Sequence, residues 1–137
     1  ELGHKGVEHG LVLAKGLGLP VLLVTVSEPF PVYSSGEGYA FTWSSDTLHE
    51  YSDQQEKASS AILERAVQTA RQQGVEANSI HVPNAQVAEG IISCAIEHNC
   101  GLIVMSSHGR RGLNRLVLGS KASEVLSHSN IPVLVVR

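Results

Sequence analysis

The sequence has no long apolar run, few aromatic residues and only two cysteines. Each shortage excludes a class. No stretch approaches the ~18 apolar residues that a membrane-spanning helix needs, and the richest, Pro20 to Val26, is strand-sized. Cys94 and Cys100 are too few for a disulfide framework and have no His or Cys at zinc-finger spacing, so both read as core or near-core thiols. One Trp, three Tyr and two Phe offer little surface for stacking bases. Glu1-Leu2-Gly3-His4 lacks the basic start and apolar stretch of a signal peptide. The expectation is a cytoplasmic domain that contacts neither membrane nor DNA.

What is present points to a folded single domain. At 137 residues, 42% hydrophobic and a net charge of −3, the chain is long enough for one core and too apolar for disorder. Charge is unevenly placed. Residues 16–56 hold no Lys or Arg, whereas residues 98–123 hold no Asp or Glu but carry Arg110, Arg111, Arg115 and Lys121. One concentrated basic segment in a mildly acidic chain suggests a local anion site, with a solvated basic loop as the plain alternative.

Four short apolar runs, Val21 to Val26, Ala77 to Val82, Leu102 to Ser106 and Val133 to Val136, are mostly continuous rather than alternating. That pattern suits strands buried on both faces of a parallel sheet. Helical periodicity fills the intervals. Residues 2–17 align Val7, Leu11 and Ala14, although four glycines weaken the helix. After Thr47, which has capping-box spacing to Glu50, an apolar stripe includes Tyr51, Ala58, Ile62, Leu63, Ala66, Val67 and Ala70 and stops before Gly74. Asn84 and Ser120 are expected to cap the third and fourth helices, the fourth with Ala122, Val125 and Leu126 inward. The alternation predicts an α/β fold, an open sheet with helices on both faces. It opens with a helix where such folds normally open with a mid-sheet strand, which is expected upstream of Glu1 or from a partner. Residues 27–45 read as one long polar loop.

The segment from Met105-Ser106-Ser107-His108-Gly109-Arg110-Arg111-Gly112 to Gly119-Ser120-Lys121 leaves a buried strand, runs through a basic glycine-punctuated loop and closes on a helix. Loops at the carboxyl ends of strands bind ligands in open α/β sheets. Helix N-terminal N–H groups with the helix dipole favour phosphate there. The order of residues is neither that of a Walker loop nor that of a dinucleotide fingerprint.

This segment resembles the nucleotide-binding signature of the universal stress protein family: a glycine, two residues, a glycine, nine residues, then glycine and a hydroxyl residue. Here it reads Ser106, Ser107-His108, Gly109, Arg110 to Leu118, Gly119-Ser120, with serine in place of the first glycine. Val7-Glu8-His9-Gly10-Leu11, Leu22 to Val26, Leu102 to Met105 and Ile131 to Val136 resemble other elements of the family, so the likeness covers almost the whole chain. The resemblance implies a Rossmann-like, mainly parallel sheet of the adenine nucleotide alpha hydrolase-like type, with strand order 3-2-1-4-5. The family's first, central strand, with its acidic end, has no counterpart in these residues. It further implies ATP, with or without Mg2+, as ligand. Val26 would contact adenine or ribose, and Gly109, Gly119 and Ser120 the phosphates, with N–H groups of Lys121 and Ala122 nearby. Met105, Ser106, His108 and Arg110 would complete the lining, while Arg110 and Arg111 add field.

Two alternatives stand beside this reading. One is a dimeric interaction module of the same family that binds no nucleotide and needs no cofactor. The other is a nucleotide hydrolase, for which His108 is the sole candidate base in the signature and Glu124 lies just inside the helix, so turnover is expected to be slow or absent. No catalytic residue and no metal ligand is assigned. A homodimer is expected through the apolar strand Val133 to Val136, an edge that invites pairing with a second copy.

Overall fold

The computed structural model describes residues 2–31, 43–107 and 118–137. Helices and strands alternate along them: α1 (Leu2–Leu17), β1 (Val21–Val26), α2 (Ser45–Gln72), β2 (Ala77–Val82), α3 (Val87–Glu97), β3 (Ile103–Ser106), α4 (Ser120–His128) and β4 (Val133–Val136). The α/β alternation is the expected one, with β3 starting one residue later than Leu102.

Helix ends follow local chemistry, not always at the expected residue. Ser44 caps α2 rather than Thr47: its Oγ accepts the Thr47 N–H at 3.2 Å. That places Thr47 third in the helix, where an N-cap hydroxyl reaches. Gln73 keeps helical angles and Gly74 turns left-handed at φ +73, as its position predicts. Gln86, not Asn84, precedes α3; Asn84 instead takes φ +54 in the turn before it, a conformation asparagine tolerates.

β1 pairs in parallel with β2, Val21 opposite Ala77 through Val26 opposite Val82. β3 pairs in parallel with β4, Ile103 opposite Val133 through Ser106 opposite Val136. Among the described residues no ladder joins β1 to β3: the strands form two parallel pairs, as the expected order 3-2-1-4-5 implies when its central strand has no counterpart in these residues.

Helices cover both faces. On one, Leu11 and Ala14 of α1 pack with Ala70 and Val75, joined by Val7, Val21 and Ala77. On the other, Ala88 and Ala95 of α3 meet Ile103 and Val125, joined by Met105 and Val133. Successive side chains of a strand point to opposite faces, so Ile103 and Met105 serve the α3/α4 core while Val104 and Ser106 meet α1. This explains why the strands read as continuous apolar runs. Ile62 and Leu126, expected inward, are instead exposed, and Ser59 takes an interior place on the face of α2 that holds Leu63 and Ala70.

The glycines of α1 permit close approach. A Cβ on Gly6 would come within 2.9 Å of the Ser106 amide nitrogen and 3.1 Å of the Met105 carbonyl carbon, whereas one on Gly10 would meet Val104 at an ordinary 3.7 Å. At Gly6 the helix backbone rests directly on the strand backbone.

Candidate functional site

The carboxyl ends of β1 and β3 and the start of α4 form the candidate site. The β3–β4 ladder continues past the strand, with the Ser107 N–H donating to the Val136 carbonyl at 2.7 Å. The Ser107 carbonyl in turn accepts the Gly119 N–H at 2.8 Å. That bond brings the two arms of the glycine signature side by side.

Gly119 is the N-cap of α4, extended at φ −61 and ψ 150, and its carbonyl accepts the Ser123 N–H at 2.9 Å. Ser120 is therefore the first helical residue and not the expected cap; among the described residues no side-chain hydrogen bond caps α4. Its hydroxyl is exposed and is not used in closing the helix end. The N–H groups of residues 120–122 precede the helical ladder and point out of the helix end, where the dipole contributes about half a positive charge. The φ of Gly119 is one that any residue adopts, so its backbone conformation does not itself require glycine.

The other expected site residues divide. Val26 ends β1, and its side chain is turned to α3: a Cβ on Gly90 would come within 2.9 Å of Val26 Cγ1. Met105 packs into the α3/α4 core and Ala122 is buried. Ser106 Oγ accepts the Gly6 N–H at 3.0 Å, so the serine at the first glycine of the signature docks α1. The side chains of these four residues are thus taken up by packing. His108, Gly109 and Arg110 lie outside the described residues, as do Arg111, Gly112 and Arg115.

Sequence reasoning missed Glu28. Its Oε1 lies 2.6 Å from Lys121 Nζ, an ion pair with both side chains about half exposed. The hydrogen bond to Glu28 holds the Lys121 ammonium above the ordinary lysine pKa. The pair brings the exit of β1 to the first turn of α4. Around it, the Tyr51 hydroxyl donates to the Glu28 carbonyl at 3.3 Å, and Phe30 stands edge-on to Trp43 and Tyr51 with centroids 5.0 and 4.9 Å away. Buried Ser27 donates its N–H to Val82 and accepts the Ala85 N–H, while its Oγ lies 2.7 Å from His81 Nε2 and 3.4 Å from Ser59 Oγ. No local signal marks Glu28, because its partner is 93 positions away.

A separate groove of about 360 Å³ runs beside α3, lined by Val82, Gln86, Glu89, Cys94 and His98 among others. Burial pushes the Cys94 thiol above its usual pKa, with help from Cys100 and Glu97. Among the described residues, no three His, Cys, Asp or Glu side chains are grouped to hold a metal ion, and no helix is long and apolar enough to cross a membrane.

Comparison with known proteins gives one consistent answer. Residues 1–137 match the model of the universal stress protein family. Universal stress protein YxiE of Bacillus subtilis is 37% identical over 90 residues, 66% of this chain, and the match spans 60% of the Bacillus protein's length. UspA from Lactobacillus plantarum superposes with a TM-score of 0.78 at 17% identity, covering 96% of this chain and 87% of that one. The universal stress protein from Archaeoglobus fulgidus in complex with dAMP superposes with a TM-score of 0.65 at 20% identity, covering 100% of this chain and 89% of that one. At such identities the two structures speak for a shared fold.

Proposed function

This chain belongs to the universal stress protein family, and from that premise we propose that it binds ATP or a related adenine nucleotide where β1, β3 and α4 converge. The observation that carries the reading is the Gly119 N–H to Ser107 carbonyl bond, which sets an uncapped helix start beside the carboxyl end of β3. In this reading the N–H groups of residues 120–122 and the Ser120 hydroxyl hold phosphate, assisted by Gly109 and the cations of the loop. The dAMP complex of the Archaeoglobus relative supports an adenine ligand. A fifth parallel strand between β1 and β3 belongs to the same reading, since each has an edge without a ladder partner among the described residues. Mg2+ and hydrolysis are no part of the core proposal; with His108 as the sole base in the signature, turnover is slow or absent. Calorimetric titration of full-length protein with ATP tests it: saturable heat is expected, and no binding at millimolar nucleotide overturns it.

A second reading, a dimeric interaction module without nucleotide, is favoured by the Ser106 hydroxyl being engaged with α1 where the signature has a glycine. Nucleotide carried through purification, seen as excess absorbance near 260 nm, counts against it. Both readings include a homodimer through β4, whose Leu134 is 42% exposed. Sedimentation at tens of micromolar is expected to show a dimer that Val135→Lys dissociates.

A further inference from the structure

We infer that Glu28 sets the charge selectivity of the proposed nucleotide site: by holding Lys121 it disfavours adenine ligands in proportion to the negative charge of their phosphates. The inference rests on the nucleotide-binding reading and extends it to the choice among ligands. Lys121 is the second residue of α4, in the turn where phosphate would be held. Its ammonium is paired with Glu28 at 2.6 Å, so the two side chains together bring no net charge to the site. Glu124, one turn further along α4, adds a second carboxylate near Lys121.

Glu28 is held in place. The backbone of Ser27 is bonded to Val82 and Ala85, the Glu28 carbonyl receives the Tyr51 hydroxyl, and Phe30 packs against Tyr51 and Trp43. The backbone that carries the carboxylate thus stays at the mouth when the ion pair opens. The pair is about half exposed on both sides, so an incoming phosphate can separate it. An uncharged adenosine needs no such exchange. A monophosphate meets the helix N–H groups and competes weakly for Lys121, whereas a triphosphate must both displace Glu28 and remain near it. Repulsion between the carboxylate and phosphate grows with each added charge and is screened by salt.

The test is calorimetric titration of adenosine, AMP and ATP, in EDTA, into full-length wild-type protein and E28Q at low and high salt. Glutamine keeps the shape of the side chain and removes its charge, and thermal melts confirm that both proteins are folded. E28Q is expected to tighten ATP roughly two- to fivefold, the range that a half-exposed ion pair spans. AMP should gain less, adenosine should not change, and the ATP gain should shrink at high salt. An ATP-to-adenosine affinity ratio unchanged or lowered by E28Q overturns the inference while the nucleotide reading stands. No binding of any of the three ligands to either protein overturns both.

Discussion

The segments that leave β1 and β3 reach the same mouth with opposite chemistry. The β1 exit is acidic, and to its main-chain bonds, Ser27 on Val82 and Ala85 on Ser27, it adds side-chain contacts: Ser27 on His81, Tyr51 on the Glu28 carbonyl, Phe30 against Trp43 and Tyr51. The β3 exit belongs to the basic stretch and is closed by main chain: Ser107 on Val136, Gly119 on Ser107. Side-chain closure ties the identity of each residue to the shape of the loop. In the proposed reading this is a division of labour: one exit supplies the phosphate cradle, and the other pairs a carboxylate with its Lys121.

The sharpest break of this contrast is Gly119→Val. A branched side chain in front of the uncapped helix start should cost roughly 1.5–3 kcal/mol of nucleotide affinity, the worth of a charge-assisted hydrogen bond. Arg110→Ala should cost less, and its effect should shrink at high salt by screening. Calorimetry at two salt concentrations, with circular dichroism to confirm folding, checks both. If Arg110→Ala does more damage at high salt, the cradle is a side-chain clamp.

The support beneath the β3 exit is the next target. Gly6→Ala should destabilise by about 2 kcal/mol, because its Cβ would meet strand backbone that no rotamer change can move. Gly10→Ala, with ordinary space around it, should instead stabilise by about 0.5–1 kcal/mol through helix propensity. Urea unfolding of the two variants gives opposite shifts in midpoint.

At the β1 exit, Phe30→Ala removes two edge-on ring contacts, each worth about 0.5–1.5 kcal/mol beyond burial. A loss of about 1–2 kcal/mol is expected. Trp43, the one tryptophan, should shift its emission to the red in the folded variant.

The smallest effect joins the two exits. Breaking the half-exposed Glu28–Lys121 pair by E28Q should cost no more than ~0.5 kcal/mol of stability at neutral pH, after discounting for solvent screening. The pairing raises the Lys121 pKa, so its contribution is complete below the ordinary lysine range. It disappears as pH rises through the raised value and the ammonium loses its proton. Wild type and E28Q should therefore differ slightly at pH 7 and converge in strongly alkaline buffer.

Periodicity within short windows was enough to locate the strands, the helices between them and the cover on both faces. Those features follow from each residue and its near neighbours, as does the left-handed Gly74 after α2. Caps shifted by one to three residues, from Thr47 to Ser44 and from Ser120 to Gly119, because adjacent residues compete for the same role and backbone geometry chooses among them. The glycine signature reads in the sequence as a candidate anion site, yet the structure turned the side chains of Ser106 toward α1 and Val26 toward α3. The contacts Gly6–Ser106 and Glu28–Lys121 had no trace in local pattern. These last two join residues 100 and 93 positions apart, and distance along the chain carries no information about proximity until packing of the helices on the strands brings them together.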